Sequence, residues 1–104
     1  MAIDAIYPSL KDKTVLITGG GSGIGEALTR AFIAQSAKVG FLDYDKAASE
    51  TLAAELHSPD LHFEYCDLRD IDALQVAVKA VSAKLGPIRI LVNNAARDDR
   101  HSLE

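Results

Sequence analysis

Thr18-Gly19-Gly20-Gly21-Ser22-Gly23-Ile24-Gly25 gathers five of the chain's 7 glycines into one short loop. On its amino side stands Thr14-Val15-Leu16-Ile17-Thr18, a nearly continuous apolar run that reads as a strand buried on both faces. On its carboxyl side Ile24, Ala27, Leu28, Ala31 and Phe32 recur at i, i+3, i+4, i+7 and i+8, one face of a helix. The glycines therefore turn a strand into a helix. Gly19 permits a tight exit from the strand, Gly23 removes a Cβ where a backbone must approach a ligand, and Gly25 lets the helix pack closely. Amides exposed at the start of the helix, aided by its dipole, favour a pyrophosphate. A merely tight turn accounts for one or two glycines, not for Gly19, Gly20, Gly21, Gly23 and Gly25 together.

Beyond this loop, strand and helix patterns alternate. Val39–Leu42, His62–Cys66 and Ile88–Val92 read as further strands. Ala48, Leu52 and Leu56 mark a second helix with Asp45 as N-cap. Ile71, Leu74, Val78, Val81 and Leu85 mark a third, opened by Asp70 and stopped by Gly86-Pro87. The order β-α-β-α-β-α-β with right-handed crossovers predicts an α/β fold: a Rossmann-like parallel sheet with helices on both faces.

Asp43 closes the second strand, where a carboxylate accepts hydrogen bonds from an adenosine ribose and repels a 2′-phosphate. Ser22, Tyr44 and Asp45 are not basic, and Lys46 is the one cation close by. This favours NAD over NADP, although a strand-end aspartate taken by itself is commonplace. The 104 residues carry 11 basic against 15 acidic side chains, a net charge of −4, which argues against a nucleic-acid partner. No apolar run reaches the roughly 20 residues of a membrane span, and the start of the chain lacks a secretory pattern. A lone cysteine, Cys66, fits a cytoplasmic protein and reads as a small core residue. His57, His62 and His101 share no ligand spacing, so no metal site is expected.

Thr18, Gly19, Gly23 and Gly25 fit the pattern T-G-x-x-x-G-x-G, Asp67-Leu68 follows the third strand, and Asn93-Asn94-Ala95-Ala96 follows the fourth. In these three blocks the chain resembles the short-chain dehydrogenases/reductases, whose third block ends in glycine where Ala96 stands here. The resemblance implies an NAD-dependent oxidoreductase with Gly19, Gly21, Ser22, Gly23, Ile24 and Gly25 against the cofactor and Asp43 at its ribose. It implies further that the Asp67 carboxylate, followed by Leu68, faces the adenine. Asn93 would brace neighbouring strands, and the backbone of Asn94, Ala95 and Ala96 would lie along the ribose. Ile6–Lys11 and Asp98-Asp99-Arg100-His101 look like a bacterial branch that oxidises xylose, arabinose or galactose at C1. Asp98 and His101 stand either on a substrate rim or in a solvated loop.

The family's catalytic serine, tyrosine, lysine and second asparagine lie beyond the fourth strand and find no counterpart: Tyr7 and Lys11 have the Y-x-x-x-K spacing but precede the first strand, and neither Tyr44 nor Tyr65 begins it. Residues 1–104 are thus expected to be the NAD-binding portion of a longer chain, with the catalytic carboxyl-terminal half absent and the fourth strand half-covered. The implied protein oxidises an alcohol or sugar, aldose to lactone, as a homo-oligomer, tetramer or dimer. Alternatives are a short-chain dehydrogenase for another substrate, of 3-oxoacyl or steroid type, and an NAD sensor without turnover. A chain retained only as an assembly partner is a further one, and it would not bind NAD.

Overall fold

A computed structural model describes residues 7–94. Ala95, Ala96, Asp98 and His101 lie outside the described residues. A 3-10 turn, Pro8–Leu10, leads into strand β1 (Thr14–Thr18), helix α1 (Gly23–Ala34), strand β2 (Lys38–Asp43) and helix α2 (Lys46–Leu56). Strand β3 (Leu61–Tyr65), helix α3 (Ile71–Leu85) and strand β4 (Ile88–Asn93) follow. All strand pairs are parallel and the sheet order is β3-β2-β1-β4. The chain thus walks outward from β1 to β3, then returns to the other side of β1. That reversal places the carboxyl ends of β1 and β4 side by side, the position at which open α/β sheets bind ligands.

Strand alternation sorts the core into two layers. Val15, Ile17, Val39 and Phe41 face one side, where Leu28 and Phe32 of α1 and Leu52 of α2 cover them. Leu16 and Leu42 face the other side with Cys66, against Ala77, Val81 and Leu85 of α3. On the first side the Phe41 and Phe63 rings stack with centroids 5.1 Å apart. On the second, Gly40 admits the closest approach of helix to sheet. A Cβ there would run into the Val81 side chain. Burying both faces of β1 and β2 explains why their sequences are apolar without alternation.

Helix boundaries follow local chemistry. Asp45 accepts a hydrogen bond from Ala48 N at 3.0 Å and Asp70 one from Ala73 N at 3.1 Å, the two N-caps expected from the sequence. Gly86, at φ +99°, ends α3.

The structure corrects three details. Ile24 is 71% exposed and Ile71 is 62% exposed, so neither belongs to the inward stripe of its helix. The fully buried positions of α1 are Gly25 and Thr29, beside Leu28 and Phe32 of the expected face, which pack on the sheet. Both isoleucines sit in the first turn of their helices, level with the carboxyl edge of the sheet, where nothing described covers them. Strand β3 begins one residue earlier than its apolar run suggests, leaving Cys66 just beyond its end but buried. Strand β4 sends partly buried Ile90 and Val92 to the α1 and α2 side, while Ile88, on the far side of a register shift, packs with the α3 cluster, and Leu91 is 64% exposed among the described residues.

Candidate dinucleotide site

The glycine loop is held from both sides by groups distant in sequence. Gly19, at φ +71°, leaves β1 in a conformation that favours glycine, and its amide donates to Leu42 O of β2 at 2.6 Å. Its carbonyl accepts from Asn94 Nδ2 at 3.0 Å, which ties the loop to the end of β4. Gly25 sits directly beneath that carbonyl, and a Cβ on it would overlap Gly19 O. The close packing expected at Gly25 is therefore between helix start and loop backbone. Thr29 Oγ1, fully buried, lies 3.0 Å from Gly20 O and 2.9 Å from Gly25 O and donates there. Thr18 Oγ1 donates to Asn93 Oδ1 at 2.8 Å, joining the tips of β1 and β4 as the bracing role of Asn93 requires.

Ser22 occupies the N-cap position of α1 in extended backbone, yet its side chain makes no capping hydrogen bond. The opening amides of α1 lack an internal acceptor of the kind Asp45 and Asp70 give α2 and α3. Gly23 combines φ +60° with open space on the side where a Cβ would project. A helix start with free amides and an open approach is the arrangement a phosphate group fills. These features fit a dinucleotide pyrophosphate.

Asp43 carries more structure than a strand-end aspartate needs. Its side chain is almost buried, with the residue 6% exposed. Oδ2 accepts from Gly21 N at 2.9 Å and Oδ1 from Asp45 N at 2.9 Å. Each oxygen retains a further lone pair for a ligand hydroxyl. A groove of about 320 Å³ opens beside it between α1 and α2, lined by Gly21, Ser22, Arg30, Ala48 and Thr51 among others. Arg30 within it is already bound to Glu26 at 2.8 Å and Glu55 at 3.0 Å. Both pairings raise its affinity for the proton further.

Cys66 N donates to Asp43 O at 3.0 Å, so the end of β3 adjoins the end of β2. Burial, followed by the charge of Asp67, pushes the Cys66 thiol up. Asp67 projects from the turn beyond and is gripped by Arg69. Its Oδ1 accepts from Arg69 N and Nε at 3.0 Å each, and its Oδ2 accepts from Nη2 at 2.9 Å. Those bonds hold the Asp67 carboxyl down to about 2. Leu68 packs partly against the core cluster that contains Cys66. The structure thus unites Gly19, Gly21, Asp43 and Asn94 in one bonded cluster, with Ser22 and Gly23 on its open side and Asp67-Leu68 at its flank. Thr29 and Ser49 were not anticipated. Thr29 falls four residues after Gly25 and Ser49 three before Leu52, so helical periodicity points at both.

A family model described as short chain dehydrogenase matches residues 13–104. The chain belongs to the short-chain dehydrogenase family. It is 49% identical over 102 residues to a probable galactose dehydrogenase of Rhizobium meliloti, covering 94% of this chain and 40% of that protein. It is 50% identical over 101 residues to a D-xylose 1-dehydrogenase of Caulobacter vibrioides, covering 95% of this chain and 39% of that one. Among solved structures, a 3-ketoacyl-(acyl-carrier-protein) reductase from Brucella melitensis complexed with NADH superposes with a TM-score of 0.75. The two are 36% identical, over 79% of this chain and 34% of the reductase. The short-chain dehydrogenase sequence described here thus spans about 40% of the length of the curated relatives it matches.

Proposed function

We propose that residues 1–104 form the dinucleotide-binding portion of an NAD-dependent short-chain dehydrogenase, and that the whole protein oxidises an aldose at C1 to its lactone. One observation carries the cofactor reading: an uncapped helix start, opened by Gly23, stands beside a carboxylate anchored on the same loop. The amides of Gly23, Ile24 and Gly25 would hold the pyrophosphate. Asp43 would take the adenosine ribose, Asp67 and Leu68 would flank the adenine, and the Asn94–Ala96 backbone would run along the second ribose. NAD rather than NADP is supported by the sign of the charges. A 2′-phosphate would meet the Asp43 carboxylate, while the cation of the adjoining groove, Arg30, is already shared by two glutamates.

NAD, when bound, supplies the hydride acceptor of an alcohol oxidation. This portion of the chain binds and orients; proton transfer falls to the serine, tyrosine and lysine that the family places after the fourth strand. The aldose reading is supported by relatives near 50% identity that are named for galactose and D-xylose. Asp98 and His101 are proposed for the sugar rim, the protein for the cytoplasm, and a homo-oligomer for its working form. A panel of aldoses with NAD, followed through NADH absorbance, tests the activity, and no turnover with any pentose or hexose would refute the substrate class. Asp43→Ala combined with Tyr44→Arg should move the NAD/NADP preference toward NADP. If the ratio of affinities for the two cofactors stays put, Asp43 is not the ribose ligand.

A further inference from the structure

Ser49 of α2 is fully buried, and among the described residues its Oγ is a buried side-chain oxygen with no hydrogen-bond partner. Its neighbours behave differently. Thr51, on the same helix, donates to Ala47 O at 2.9 Å, and Thr29 on α1 reaches Gly25 O at 2.9 Å, each four residues back. A helical hydroxyl satisfies itself this way by default. Ser49 forgoes that bond and points at the glycine loop. The place a Cβ would take on Gly21 lies against Ser49 Oγ and, at 3.0 Å, Asp43 Oδ2. The hydroxyl and the carboxylate therefore share one small space, which exists because residue 21 is glycine. Burying a hydroxyl without a partner is costly, so a serine retained there is poised for an acceptor.

We propose that Ser49 is a positioning residue for Asp43, its hydroxyl joining Gly21 N and Asp45 N as the third donor that fixes the carboxylate against the adenosine ribose. The inference rests on the dinucleotide reading above. Asp45 N already holds Oδ1 and Gly21 N holds Oδ2. A ribose hydroxyl would donate to the remaining lone pair of Oδ1. Rotation about χ1 of Ser49 gives Oδ2 its second donor, so the carboxylate offers Oδ1 to the ribose without losing its inner bonds. Through α2, whose first turn hangs on Asp45, the same contact links the helix to the bound state.

The test is equilibrium titration of the purified protein with NADH and with 2′-deoxyadenosine NADH, read by nucleotide fluorescence, alongside thermal unfolding without ligand. Ser49→Ala should raise the Kd for NADH roughly tenfold and leave that for the deoxy analogue nearly unchanged. Its Tm should not fall, because the hydroxyl removed was unsatisfied. Ser49→Cys, close in volume but a weak donor, should behave like alanine. Wild-type discrimination between the two nucleotides in either variant overturns the proposal. So does an equal loss for both nucleotides with a lowered Tm, which marks packing alone. A wild type that ignores NADH sinks the dinucleotide reading and this inference with it. NADH bound by the wild type and equally by Ser49→Ala sinks this inference alone.

Discussion

At the start of α3 the Asp70 carboxylate folds back onto Ala73 N at 3.1 Å, whereas at the start of α1 Ser22 holds no amide and glycines stand on either side. Both helices follow a strand of the same parallel sheet and both open at its carboxyl edge. Their sequences diverge where their tasks do. α3 closes its own amino end and gives its stability to the fold, packing Ala77, Val81 and Leu85 against the sheet. α1 leaves its end open, and the loop before it is stiffened from outside by Asp43, Asn94 and Thr29. A helix start can therefore be ordered without being satisfied, provided that distant groups hold the loop while its own amides stay available.

Substitutions at the two helix starts break this contrast in opposite ways. The largest effect is expected for Gly23→Val, which forces a branched side chain to φ +60° and fills the open approach; NADH binding should fall below detection in a fluorescence titration. Ser22→Asp comes next, since it would give α1 the cap that α3 has. We expect weaker NADH binding by roughly tenfold, about 1.4 kcal/mol, together with a raised urea midpoint. Asp70→Ala should cost about 1 kcal/mol of unfolding free energy and leave NADH affinity alone, while Ser22→Ala should barely change stability. Equal losses at the two positions in urea melts would erase the distinction drawn here.

The smallest effect is expected at Arg69. Its bonds hold the Asp67 carboxyl at about 2, below the ordinary 3.8. A folded-state value that is depressed contributes stability above the unfolded value and loses it as pH falls through the folded one. The stability difference between wild type and Arg69→Ala should therefore be constant above about pH 5 and vanish towards about pH 2. The pair is exposed to solvent, so that difference is small and should shrink in high salt.

Most of the fold was legible because two periodicities, one for strands and one for helices, alternate without interruption from Thr14 to Asn93. The caps at Asp45 and Asp70 were legible because a short carboxylate before an apolar stripe has one good use. The inward stripes were misread at Ile24 and Ile71, since hydrophobicity marks a face only where something covers it. The site was legible as a set of positions but not as a bonded object. Glycine spacing locates the loop, yet the Gly21–Asp43 and Asn94–Gly19 bonds join residues that only the strand order brings together. Ser49 and Thr29 escaped notice because hydroxyls on a helix look like surface until their neighbours are known.

The double engagement of Asp43 bears on how this loop can change over generations. Because its carboxylate anchors Gly21 N and Asp45 N and, in the function proposed above, also faces the ribose, replacing it would alter the loop and the ligand contact in a single step. A lineage exchanging one dinucleotide for the other must pass through an ancestor whose loop has lost its tether, unless a second substitution restores it first. Cofactor preference at this position is therefore epistatic: the same replacement at residue 43 will be tolerated or ruinous depending on what already stands at residues 21 and 49.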